Sequence, residues 1–256
     1  MEASDPDLER RFGGVSRLYG EQGLSILKSR HVCVIGIGGV GSWAAEALAR
    51  NAVGSLTLVD LDNVAESNVN RQIHAMDGEF GKAKITSMAE RIRLINPQAR
   101  VHEIEDFVTM ENVPFILDRQ YDVVLDMIDD AKAKVAIAAF CRTHKLHLIV
   151  AGGAGGRLDP TRVKVADLAK VTGDRLLAKV RNQLRRDFGF PKGEKSKFGI
   201  TAVYSDEQVR QPDRLCETDA GLHGLNCAGY GSSVSVTACF GFTAAQLALN
   251  RLLKLD

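Results

Sequence analysis

Apolar and polar positions fall into short blocks whose period alternates between two and nearly four. HVCVIG (31–36), SLTLVD (55–60), YDVVLD (121–126) and LHLIVAGG (146–153) are compact apolar runs rich in β-branched residues, and each predicts a buried strand. RVHEI (100–104) predicts another. Between these lie SWAAEALARN (42–51), KAKITSMAERIRLIN (82–96) and AKAKVAIAAFCRTH (131–144), whose apolar residues recur at helical spacing. In the second of them Ile85, Met88, Ala89 and Ile92 share one face, and the helix must stop before Pro97. Strands alternating with helices predict an α/β fold with a mostly parallel, doubly wound, Rossmann-like sheet.

The rhythm changes after Gly152. Residues 168–197 predict a basic helical stretch followed by a Gly/Lys loop, ITAVYS (200–205) one more strand, and 232–253 a closing helix. Residues 8–28 read as a mixed segment with helix at its end. With no internal repeat, the chain is expected to be a single domain, an α/β core over residues 8–155 and a basic elaboration over 156–256.

Composition narrows this picture only slightly. The 256 residues are 45% hydrophobic and 25% charged with a formal charge of +1, so any polyanion partner must be met by a local patch. The five cysteines (Cys33, Cys141, Cys216, Cys227, Cys239) form no CxxC pair, which argues against a thiolate zinc site and fits a reducing cytoplasm. Cys33, Cys141 and Cys239 fall in core patterns, and Cys216 and Cys227 are the two candidates for a reactive thiol. The N-terminus lacks the apolar run of a signal peptide. Residues 220–250 carry no Asp, Glu, Lys or Arg, a length that would suit a membrane span, but their Gly, Ser, His223 and Asn226 favour a buried core or dimer-interface helix.

Candidate chemistry begins at Gly36-Ile37-Gly38-Gly39-Val40-Gly41, placed between a strand and a helix. Such a turn lets backbone approach phosphate closely and aims a helix N-terminus at it. Ser42 opens that helix. Asp60 ends the next strand, 19 residues beyond Gly41, where a carboxylate accepts ribose hydroxyls. An NAD-dependent oxidoreductase shares this much. Asp62, Ser67, Asn68, Arg71, Lys84 and Asp129 are further candidates. Together they supply the cations and carboxylate that a magnesium-bound triphosphate needs and a dinucleotide does not. Lys84 is preferred over Lys82, and Asp129 over Asp130, which suits a helix N-cap.

DxDxVxxSNxxRQ, GxxK and the later strand-end Asp resemble the adenylation domain of the ThiF/MoeB and ubiquitin-activating family over about residues 11–155. The resemblance implies ATP and Mg2+ as cofactors, with Asp60 on ribose, Asn68, Arg71 and Lys84 on the triphosphate, and Asp129 on magnesium. Arg17, in SRLYG, would reach a phosphate, across a dimer interface if the chain pairs as the resemblance to homodimeric relatives implies. RFGGVSRLYG, NVNRQIHA, AGGAGGRLDPTRVKVADLAK and VTACFGF extend the resemblance over almost the whole chain. They point to the branch of bacterial tRNA threonylcarbamoyladenosine dehydratases. That branch implies ATP-dependent cyclisation of a threonylcarbamoyl group on tRNA through adenylation of its carboxylate, and leaves room for sulfur-transfer partners.

The sequence bears on a tRNA partner independently. Residues 170–197 hold nine basic and three acidic residues, and Lys179, Arg181, Arg185, Arg186, Lys192, Lys195 and Lys197 are the candidate phosphate contacts. Phe188 and Phe190 interleave as candidate base-stacking rings. The rival substrate is the C-terminus of a ubiquitin-like sulfur carrier. A non-enzymatic tRNA-binding protein on a decayed nucleotide fold would leave the ATP residues without purpose.

Overall fold

The computed structural model describes residues 7–193, 195–211 and 230–255. Within them one sheet of seven strands runs β3-β2-β1-β4-β5-β7-β6. Its strands are β1 (His31–Ile35), β2 (Ser55–Val59), β3 (Arg100–Ile104), β4 (Val123–Asp126), β5 (Leu148–Ala151), β6 (Val163–Asp167) and β7 (Thr201–Ser205). All neighbours are parallel except β6, which pairs antiparallel with β7 at the edge, Val165 opposite Val203. The pattern did not predict β6: its residues are only partly buried, as befits an edge strand covered on one side.

Helices cover both faces. On one lie α2 (Gly41–Arg50), α3 (Lys84–Ile95) and α7 (Val234–Leu253), closing a core that includes Leu48, Leu58, Met88, Ile92 and Phe240. On the other lie α4 (Val113–Ile116), α5 (Ala131–Thr143) and α6 (Arg175–Asp187), with Cys33, Val124, Ile137, Leu177 and Leu184 between them and the sheet. The order in which strands are added reverses between the parallel neighbours β1 and β4, whose first bonded pair is Val32 and Val123. The carboxyl ends of those two strands therefore form the crevice in which open α/β sheets bind ligands.

The N-terminal segment is more ordered than its sequence suggests. It forms α1 (Leu8–Ser29), N-capped by Asp7 and broken at Gly20, where φ of 76° takes the backbone out of the helical region. The closing helix packs on α2 as core, with Phe240 fully buried. Among the described residues no helix is long and apolar enough to cross a membrane. Cys33 and Cys141 are buried, and burial pushes both thiols up, Cys141 to about 12. Cys216 and Cys227 lie outside the described residues.

Candidate nucleotide site

The glycine turn leaves β1 with Gly36 at φ of 87°. A Cβ there would stand 2.7 Å from Ile128, and one on Gly41 would overlap the Gly36 carbonyl oxygen. These two glycines let the turn pack against the strand-end loop after β4. Gly38 differs, since a Cβ on it would meet no protein atom within 4 Å. The space it leaves open lies where a phosphate would approach the first turn of α2. A Cβ on Gly39 would stand 3.1 Å from Cγ of Arg71, so the arginine stem crosses the turn at that point.

Several bonds fix Arg71. Its carbonyl accepts from Nε1 of Trp43 at 2.9 Å, and its Nη1 donates to the Ser67 carbonyl at 2.7 Å and to Oδ1 of Asn70 at 2.9 Å. Burial lowers its pKa and the nearby Asp129 carboxylate opposes that shift. Asn68 is buried, and its Oδ1 caps its own turn by accepting from the Ala65 N–H at 3.0 Å. Ser67 contributes its carbonyl to holding Arg71.

Asp60 accepts from the N–H of Ile37 at 2.6 Å and of Asp62 at 2.9 Å. Burial raises its pKa, opposed by the Lys84 charge and by those two N–H groups. The carboxylate thus ties the end of β2 to the glycine turn. Lys84 is 7% exposed overall and its Nζ pairs with Oδ2 of Asp62 at 2.7 Å. Lys82 instead pairs with Glu79 and Glu90 on the surface, so the two lysines of GKAK have different partners. Asp130 caps α5, accepting from the Ala133 N–H at 2.7 Å, which leaves Asp129 as the carboxylate beside Arg71. Magnesium usually keeps few protein ligands and shares phosphate oxygens, so a single carboxylate at this place fits it. Among the described residues no cluster of three or more His, Cys, Asp or Glu could cage a metal without phosphate.

Four polar side chains near this edge escaped the sequence reading. Lys134 and Asp126 are both fully buried and paired at 2.9 Å, with Nζ also donating to the Asp126 carbonyl at 3.1 Å. Burial raises the Asp126 pKa, and Lys134 opposes it. His74 and Gln72 are buried, and neither ring nitrogen of His74 has a hydrogen-bond partner. The Lys134–Asp126 pairing depends on packing that no local motif encodes, whereas Gln72 and His74 lie within NVNRQIHA without having been singled out. Deeper in the second half, buried Arg157 donates to the carbonyls of Gly153, Ser205 and Glu207 and pairs with Asp174 at 3.3 Å, bracing the loop after β5.

Two expectations change. Arg17 is exposed on the first half of α1. That half is anchored by Arg11 on the carbonyls of Leu94 and Ile95 and by Phe12 beside Leu24 and Ala52, at the opposite edge of the sheet. Within its own chain Arg17 is therefore away from the glycine turn. Phe190 is no stacking platform: it is 2% exposed and packs edge-on against Phe198. Phe188 is exposed, as are Lys179, Arg186, Lys192, Lys195 and Lys197. Arg181 and Arg185 donate to the Val171 and Pro191 carbonyls, and Arg186 pairs with Asp187 at 2.7 Å.

The fold and this edge define a nucleotide-binding α/β protein whose anion-accepting turn is flanked by an arginine, a lysine and carboxylates. The chain belongs to the ThiF family, which matches residues 11–255. It is 47% identical over 249 residues to the tRNA threonylcarbamoyladenosine dehydratase of Haemophilus influenzae, covering 96% of this chain and 94% of the relative. The solved structure of the Escherichia coli tRNA N6-threonylcarbamoyladenosine dehydratase TcdA in complex with ATP superposes with a TM-score of 0.89 at 45% identity, covering 99% and 98% of the two chains. The Escherichia coli molybdopterin-synthase adenylyltransferase is more distant, 30% identical over 145 residues and 57% of each chain.

Proposed function

We propose that this protein dehydrates threonylcarbamoyladenosine in tRNA at the expense of ATP. The threonyl carboxylate attacks the α-phosphorus of ATP, pyrophosphate leaves, and an acyl adenylate forms. An atom of the adjacent carbamoyl group then attacks the acyl carbon and gives up its proton, the ring closes, and AMP departs. The net change on the nucleoside is loss of one water. Because nucleophile and electrophile belong to one molecule, ring closure profits from high effective concentration and requires no protein nucleophile.

The observation that carries this reading is the joining of two facts. The Arg71 stem crosses a glycine turn left open at Gly38, with the Asp129 charge nearby, and the chain is alike end to end with dehydratases. In this assignment the turn and Arg71 bind phosphates, Asp60 the ribose, and Lys84, Asp62, Ser67 and Asn68 the rest of the triphosphate edge. Asp129 would hold magnesium, which would supply charge neutralisation to the phosphates. Arg71, Lys84 and Asp129 carry the chemical step. We further assign a homodimer in which Arg17 serves the partner's site, a cytoplasmic location, and tRNA contact through the exposed lysines around α6. A sulfur-transfer protein is a possible further partner of the reaction, assigned from the resemblance alone.

The test is incubation with ATP, magnesium and tRNA carrying threonylcarbamoyladenosine, followed by mass spectrometry of the nucleosides. A loss of about 18 mass units, absent without ATP and with Arg71→Ala or Asp129→Ala, is expected from the stoichiometry of adenylation and ring closure. AMP formation with a carrier-protein C-terminus but not with this tRNA would transfer the assignment to the sulfur-carrier activators.

A further inference from the structure

The basic residues at the C-terminal end of α6 lie away from the nucleotide crevice. Asp174, the N-cap of α6, receives the Gly153 N–H at 2.9 Å just beyond the carboxyl end of β5. From there α6 runs 13 residues toward the opposite edge of the sheet, roughly 20 Å away at the usual helical rise. α5 starts after β4 and runs the same way. The two helices thus deliver Arg142 and Arg185 to the sheet edge remote from Gly38.

At that edge two aromatic rings are packed together, Phe190 against Phe198 with centroids 4.8 Å apart. The guanidinium of Arg142 lies 4.1 Å above the Phe190 ring, and that of Arg185 lies 5.4 Å above Phe198. Both rings are buried, and Arg142 is exposed. Arg185 is further held by donating its Nε to the Pro191 carbonyl at 3.3 Å. These cation–π contacts hold the two guanidiniums over the rings before any ligand arrives, and a planar, pre-positioned fork is the group best suited to a phosphate oxygen pair. Exposed Lys192, Lys195 and Lys197 lie on the chain between and beside the two phenylalanines.

We propose that Arg142 and Arg185, held over Phe190 and Phe198, form a remote anchor for the tRNA backbone, gripping phosphates of the helical stem while the modified base occupies the nucleotide crevice. This rests on the tRNA reading above and extends it: Arg142 lies outside the basic run, and the contact would select helical RNA by its phosphate positions and not by sequence. The anchor lies about one α6 length from the chemistry, so it reads the stem carrying the loop and leaves the loop's bases to the active edge.

The experiment compares the full-length protein with Arg142→Gln/Arg185→Gln, on tRNA bearing threonylcarbamoyladenosine and on a short oligonucleotide of the same loop without its stem. Affinity is read by fluorescence anisotropy across a salt series, and turnover in parallel. The expected result is a rise of about tenfold in Kd and KM for whole tRNA, with kcat and KM for ATP unchanged and a salt slope reduced by about one per lost phosphate contact. The loop-only oligonucleotide should show no such penalty. Should the double variant melt early, Arg142→Gln is tested alone with its fold checked by thermal melt, and Arg142→Lys should recover part of the affinity. Equal affinity of wild type and variants for tRNA, or an equal loss on both substrates, overturns the anchor. Variant-sensitive tRNA binding without any turnover upholds the anchor and overturns the dehydratase reading.

Discussion

At Gly41 a Cβ would overlap the Gly36 carbonyl, whereas at Gly38 it would meet nothing of the protein. The two glycines therefore serve different ends, and the same substitution should separate them. Gly41→Ala should lower unfolding stability by about 1–3 kcal/mol through overpacking. Gly38→Ala should leave it within about 0.5 kcal/mol while weakening ATP binding roughly tenfold. Thermal melts with and without ATP distinguish these outcomes, because only Gly38→Ala melts normally yet gains little from the nucleotide. His74 supplies a second residue-scale effect. Burial, followed by the Lys84 charge, brings its pKa down to about 4, with Glu79 opposing and Arg91 adding. The unfolded chain binds a proton near pH 6.5 that the folded one takes up only near 4. Stability from this group is thus complete above pH 6.5 and is lost as pH falls through that window. Urea melts should show a loss of about 2 kcal/mol from His74 between pH 7.5 and 5. His74→Phe should flatten that part of the slope, leaving the same-sign contribution of half-buried His31, also brought down to about 4 by burial.

Among the elements, the end of β4 depends most on one buried contact. Met127 donates its N–H to the Ile35 carbonyl at 2.8 Å, Ile128 packs against Gly36, and the Lys134–Asp126 pair sits directly behind them. Removing one charge strands the other in the core. Lys134→Met should therefore destabilise by about 3–5 kcal/mol, while pairing it with Asp126→Leu should restore much of the loss. Chemical denaturation of the single and double variants checks this, and additive losses would refute the coupling. The pair also marks the boundary of what sequence reveals. β1, β2 and β4 were legible because their apolar runs are bounded by turns, and the glycine turn because its spacing is local. The Asp126 side chain's need for Lys134 was not, since a lysine eight positions on in AKAKV reads as helix surface until packing shows both atoms dry. Edge strand β6 was missed for the converse reason: half of its side chains face water, so its pattern is weak. Phe190 looked available among basic residues, and it is the tertiary fit against Phe198 that buries it.

For the whole molecule, the sheet places its two kinds of cation at opposite edges: Arg71 and Lys84 at the carboxyl ends of the strands, Arg142 and Arg185 at the other. Arg17 belongs by its own chain to neither cluster. Its helix is pinned through Arg11 to the end of α3 and through Phe12 to Leu24, and it exposes Leu18 at 73% beside it. An exposed leucine next to an arginine predicted to meet phosphate is accounted for if a second copy covers this helix and receives the guanidinium in its nucleotide crevice. Symmetric pairing would then give each crevice one foreign arginine. Arg17→Ala and Arg71→Ala should each be inactive alone. After the two are mixed and allowed to exchange subunits, half of the dimers are mixed, and each of these has one crevice with an intact Arg71 facing an intact Arg17. About a quarter of wild-type activity should return on that count of sites. If Arg17 acted within its own chain, every crevice in the mixture would lack one arginine and no activity would reappear. If it had no part in the reaction, Arg17→Ala alone would already turn over normally.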